Sequence, residues 1–172
     1  VLRHAVLLAG RRVVEALYDR ADVDAWGHFL GRVAIDTAMS SKLLDGAEKL
    51  FRQVVQGRRE ALGDRHADTL ESINNLGRLL QAKGELQEAE VLMREALQGR
   101  REVLDKPGGM PHPHTLISIG NLGELLRAKG QLEEGATLCR EALEGQRQVL
   151  GDKAQNTLHT MNNLGRVLRA KA

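Results

Sequence analysis

A tripeptide that returns at nearly constant spacing constrains this chain more than any other feature. Asn75-Leu76-Gly77 recurs as Asn121-Leu122-Gly123 and as Asn163-Leu164-Gly165, at offsets of 46 and 42 residues. Thr69-Leu70, Thr115-Leu116 and Thr157-Leu158 keep the same two offsets. Ala82-Lys83-Gly84 returns as Ala128-Lys129-Gly130, and Arg94-Glu95-Ala96-Leu97 as Arg140-Glu141-Ala142-Leu143. The period is 42, with one insertion of four residues. The insertion lies between Leu104 and Thr115, where Pro107, Gly108, Gly109, Pro111 and Pro113 mark a loop. A period of this length means stacked units, each unable to bury its apolar side alone.

Each unit reads as two helices. Leu70, Ile73, Leu76, Gly77 and Leu80 share one face of the first helix, at about 100° per residue. Glu71, Asn74, Asn75, Arg78, Gln81 and Ala82 cluster on the other side. Asp68 is the expected N-cap, with Glu71 closing a capping box, and Gly84 is the expected C-cap. The second helix carries Ala89, Leu92, Met93, Ala96, Leu97, Val103 and Leu104 on one stripe. Helices are predicted over 67–83, 86–103, 113–129, 132–149 and 155–171, within a total of seven or eight and with no strand.

Composition excludes several classes. The formal net charge of +2, from 25 basic and 23 acidic residues, gives no general pull on nucleic acid or anionic lipid. The aromatic residues are Tyr18, Trp26, Phe29 and Phe51, so the regular part has no platform for stacking bases. No apolar run approaches the ~20 residues a spanning helix needs, so no membrane insertion is expected. The single cysteine, Cys139, fits a reducing compartment such as the cytoplasm and a buried, inert thiol. His66, His112 and His114 read as a repeat junction, because no ligand cluster at metal spacing accompanies them. No nucleophile, base and orienting acid recur together, and Gly108-Gly109 lacks the lysine of a phosphate loop. The expectation is a non-catalytic protein with no cofactor and no metal.

At these residues the sequence resembles the tetratricopeptide repeat, in the 42-residue form found in kinesin light chain. One unit supplies the pattern as Leu76, Gly77, Leu80, Gly84, Ala89, Met93 and Ala96, and the next as Leu122, Gly123, Leu126, Gly130, Gly135, Cys139 and Ala142. His112-Pro113-His114-Thr115-Leu116 is similar to the linker of that form, and His66-Ala67-Asp68-Thr69-Leu70 is a looser copy. The resemblance implies an all-α, right-handed superhelical solenoid of antiparallel helix pairs. Residues 1–62 are expected to hold atypical N-terminal helices, including a degenerate first unit over about 24–62. Residues 63–172 are expected to hold two regular repeats and a half repeat of the same solenoid. The opening Val1 to Arg12 reads as an amphipathic helix, with a targeting remnant as the alternative. Without an initiator Met, and ending inside a repeat, the chain reads as a fragment. Gly57, Gly99 and Gly145 depart from the family by standing mid-helix, for close helix approach or by simple duplication.

The resemblance also places the first helices on an inner, concave surface, and implies a protein or peptide partner there. The expected peptide-binding set is Asn74, Asn75, Arg78, Gln81, Asn121, Glu124, Arg127, Asn163, Arg166 and Arg169. In relatives an asparagine at the place of Asn75, Asn121 and Asn163 bonds the backbone of an extended peptide. An amide suits that task because it both donates and accepts. The alternative is that these amides only register the stack. The arginines point to an acidic partner segment held by a scaffold or adaptor. Two rivals stay open: a structural subunit docked by its edges or open end, and a regulatory region of a multidomain protein. The last helix, with Leu158, Met161, Leu164, Val167 and Leu168, lacks a following second helix and is expected to self-associate or to fray at its C-terminus.

Overall fold

In a computed structural model, residues 37–172 are described, with side-chain surroundings from residue 44 onward. The readings made for residues 1–36 lie outside the described residues. The rest contains six helices and no strand: α1 (Thr37–Leu62), α2 (Ala67–Lys83), α3 (Leu86–Leu104), α4 (Pro113–Ala128), α5 (Leu132–Leu150) and α6 (Gln155–Lys171). The five later helices start and end within a residue of the predicted limits. None of the described helices is long and apolar enough to cross a membrane.

Short connections fold consecutive helices back on each other as antiparallel pairs. Gly84 supplies one such turn at φ 85°, where its N–H bonds Gln81 O and the Glu85 N–H bonds Leu80 O. Gly130 repeats the turn after α4. The pairs are α2 with α3 and α4 with α5; α1, α3 and α5 each lean on the first helix that follows, and α2, α4 and α6 lie side by side in order. One apolar core runs through the stack, from Val55 past Leu70, Ile73 and Met93 to Leu116, Leu122 and Ala142.

Three local expectations are corrected. Asp68 does not cap α2; His66 does, its Nδ1 accepting the Asp68 N–H at 3.2 Å. Asp68 falls inside the first turn, where a carboxylate still suits the positive end of the helix dipole. His112 caps α4 in the same way through the His114 N–H, with Pro113 entering the first turn. The histidine of the linker is thus a helix cap. Second, Val103 is 46% exposed and is not part of the core stripe. Third, burial is not confined to the apolar stripe: Asn74 and Asn75, on the other side, are buried, as is Leu79. α2 and α4 are enclosed on both sides, by their own partner and by neighbouring units, so a one-sided apolar stripe underestimates their burial.

Close approach accounts for two of the three mid-helix glycines. A Cβ at Gly145 would lie 2.5 Å from Leu116 Cδ2, and one at Gly99 would collide with Leu70 in the same way. Around Gly57 nothing lies within 4 Å, and the counterpart of Leu70 there is position 28, outside the described residues.

Polar contacts repeat with the same period. Arg58 Nη1 donates to Asp68 O and Ser72 Oγ; Arg100 Nη1 donates to His114 O and Ser118 Oγ. Each pins a second helix to the start of the next first helix. Gln146 takes this place in α5, 1% exposed, and its Oε1 has no partner among the described residues. Arg52–Glu88 and Arg94–Glu134, at 2.8 and 2.7 Å, link successive second helices. Lys83 meets Glu48, Asp45 and Glu85, and these carboxylates, Glu48 foremost, hold its pKa above the usual lysine value. The half-exposed Arg52–Glu88 and Arg94–Glu134 pairs are worth at most about 1 kcal/mol each, so they set register more than stability.

Candidate functional site

The expected partner surface is the row of first helices, and its residues divide by depth. The amides lie deep: Asn74 is 4% exposed, Asn75 and Asn121 are nearly as buried, and Asn163 is 2% exposed. Asn163 Nδ2 lies 3.5 Å from His159 Nδ1, one turn away. Among the described residues, Asn74 Oδ1 and Asn121 Nδ2 are buried without a hydrogen-bond partner. Such atoms are uncommon in folded proteins. Neither amide is fully spent on registering the stack.

The charged residues lie outside this layer. Arg78 and Gln81 on α2 and Arg127 on α4 are partly exposed; Arg166 and Arg169 on α6 are exposed. They do not form an uninterrupted cationic strip. Glu124 stands among them and is bonded from two helices. Arg127 donates Nε to Glu124 Oε2 at 3.0 Å and Nη2 to Oε1 at 2.9 Å. Arg166 Nη1 reaches the same Oε1 at 2.7 Å. This forked bonding raises the Arg127 pKa above the usual guanidinium value. Behind the cluster Cys139 is fully buried, and burial, with the Glu124 charge nearby, pushes its thiol up to about 11. That thiol is an inert filler of the core at neutral pH. Among the described residues no group of three or more His, Cys, Asp or Glu side chains is placed to hold a metal ion.

The tetratricopeptide repeat family model matches residues 34–102 and 114–172. The chain belongs to the tetratricopeptide repeat family. The interval between the two matched segments contains the four-residue insertion, so the departure from family spacing sits in the α3–α4 loop. No curated protein matches the chain. Solved structures of nearly identical TPR-like repeats from a Podosopora anserina candidate kinesin light chain, a point variant and its parent, are 22% identical to it. Their TM-scores are 0.62 and 0.59, and each match covers 96% of this chain and 86% of the other. BtubC (BKLC) from P. vanneervenii is 19% identical with a TM-score of 0.66, covering 99% of this chain and 67% of that one. At these identities the likeness concerns the fold.

Within a tetratricopeptide repeat, Gly77 and Gly123 are where the two helices of a pair come closest, and the structure shows why. A Cβ at Gly77 would stand 2.8 Å from Met93 Cγ; one at Gly123 would stand 2.6 Å from Cys139 Sγ and 3.0 Å from Gly135 O. Gly165, at the same place in α6, has nothing within 4 Å. Two elements escaped the sequence reading. The inter-repeat clamp at Arg100 is one, although Arg58 and Arg100 stand at the repeat offset opposite Ser72 and Ser118. Glu124 lies on the expected binding face, and its bonds to Arg127 and Arg166 are additional to that expectation. The Arg127 contact is legible from the three-residue spacing along one helix, whereas the Arg166 contact depends on how α6 stacks beside α4.

Proposed function

We propose that this chain is a non-catalytic scaffold or adaptor that receives an extended acidic segment of a partner protein along its first-helix face. Tetratricopeptide repeats mediate protein–protein interactions, which gives the general class. The observation that carries the finer reading is the charge of this face. Arg78, Arg127, Arg166 and Arg169 stand there against Glu71 and Glu124, in a chain whose two signs otherwise almost balance. The amide layer beneath adds groups that recognise backbone rather than any particular side chain. A cytoplasmic setting goes with this reading, on the strength of the single buried thiol.

The test is charge reversal at the centre of the face. Arg127→Glu is expected to weaken binding of an acidic, otherwise glycine- and serine-rich peptide by about tenfold or more, and to flatten its dependence on salt. Unchanged binding by a folded variant would remove this face as the site.

One observation favours a second reading, in which the chain docks by its last helix inside a larger assembly. On α6, Leu158 is 53% and Leu168 41% exposed, and Gly165 is open where Gly77 and Gly123 are filled. That reading predicts self-association at micromolar concentration, abolished by Leu158→Glu. Light scattering that finds only monomers would contradict it.

A further inference from the structure

We infer that Glu124 is an internal competitor: it occupies the carboxylate seat between Arg127 and Arg166, so that only a segment with adjacent acidic side chains displaces it. This rests on the reading of the first-helix face as the partner surface.

The geometry is that of a ligand already bound. Glu124 is the only carboxylate bonded to either arginine in the described structure. It accepts a two-pronged contact from Arg127, at 3.0 and 2.9 Å, and a third bond from Arg166 at 2.7 Å. A forked contact of this kind is how arginine grips a carboxylate in recognition sites generally. The equivalent position in the three first helices reads Arg78, Glu124 and Arg166. An acid therefore stands between two cations in a row that is otherwise basic. The side chain of Glu124 is 12% exposed, whereas those of Arg127 and Arg166 are 24% and 44% exposed. The seat is covered by the chain's own carboxylate while the guanidiniums around it still face outward.

Exchange of one carboxylate for another at such a seat gains little. A lone acidic side chain that arrives must break the bonds Glu124 already makes, and it replaces them with equivalent ones. Two adjacent acids do better. One takes the seat, and the other reaches Arg169, which follows Arg166 by three residues on the exposed side of α6. Glu124 thereby sets a threshold on acidity, acting by competition rather than by contact with the partner.

The experiment uses the 172-residue chain, with two fluorescent peptides of a glycine and serine background, one carrying a single glutamate and the other four in a row. Binding is read by anisotropy for the wild type, Glu124→Gln, Glu124→Ala, and Glu124→Gln combined with Arg166→Gln, with circular dichroism melts of each. Both single Glu124 variants are expected to bind the one-glutamate peptide about tenfold more tightly and the four-glutamate peptide about threefold more tightly. The added Arg166→Gln should cancel the gain. If the wild type binds the acidic peptide and Arg127→Glu destroys that binding, but removing Glu124 leaves affinity unchanged or lower, Glu124 only braces α4 against α6. The inference is then overturned while the face remains the site. If no folded variant binds either peptide, the face itself is wrong and this inference falls with it.

Discussion

Replacing Arg100 with alanine is expected to cost about 2–4 kcal/mol of stability. Arg100 is 3% exposed, and burial pulls its pKa below the usual guanidinium value, an effect the charge of Glu71 partly offsets. Its Nη1 holds the carbonyl of His114 at 2.9 Å and the hydroxyl of Ser118 at 2.7 Å. Both acceptors sit at the start of α4, so the side chain couples one repeat to the next. Alanine removes the donor, takes the partner from the buried hydroxyl of Ser118 and opens a void. Methionine should cost less, because it fills the space and removes the penalty of burying a charge. In a stack stabilised by neighbour contacts, losing one coupling also broadens the transition. Urea titration followed by circular dichroism reads both effects. A change below about 0.5 kcal/mol in the alanine variant, typical of an exposed site, would show that the clamp is not a structural coupling.

A valine at Gly123 should be more damaging still, by about 3 kcal/mol or more. The added Cβ would meet Gly135 O at 3.0 Å and Cys139 N at 3.2 Å, besides the sulfur at 2.6 Å. Two of those atoms are backbone, so the helices α4 and α5 must separate to admit it. Gly165 offers the matching control. It occupies the same motif in α6, yet nothing lies within 4 Å of its Cβ direction. Gly165→Ala should be neutral or stabilise by up to about 1 kcal/mol, since alanine is the better helix former. The same urea titrations compare them. Equal losses at the two sites would mean that close approach to α5 is not what requires glycine at 123.

These two positions also show what the sequence could and could not yield. The motif carrying Gly123 was visible from its spacing alone, and so were the helix limits, the Gly84 turn and the burial of Cys139, because local period and family pattern decide them. The corrections come from relations between units. Asn74 and Asn75 fall opposite the apolar stripe on a helix wheel, but α2 is enclosed by neighbours on both sides and they are buried. Asp68 outranks histidine as a cap by general propensity, yet the helix begins two residues earlier than that choice needs. The position of His66, rather than its residue type, settles the cap. Val103 continues an apolar stripe on paper but lies in the last turn of α3, where it is exposed. The Glu124–Arg166 bond joins residues 42 apart, and nothing in either helix by itself announces it.

The central claim, that partners are received on the first-helix face, is tested most directly by hydrogen–deuterium exchange of the intact chain with and without a saturating acidic peptide. The account predicts that new protection falls on α2, α4 and α6, centred near Asn121 to Arg127 and Asn163 to Arg169, and leaves the outer sides of α3 and α5 unchanged. Protection confined to α3 and α5, with the first helices exchanging as before, would contradict it.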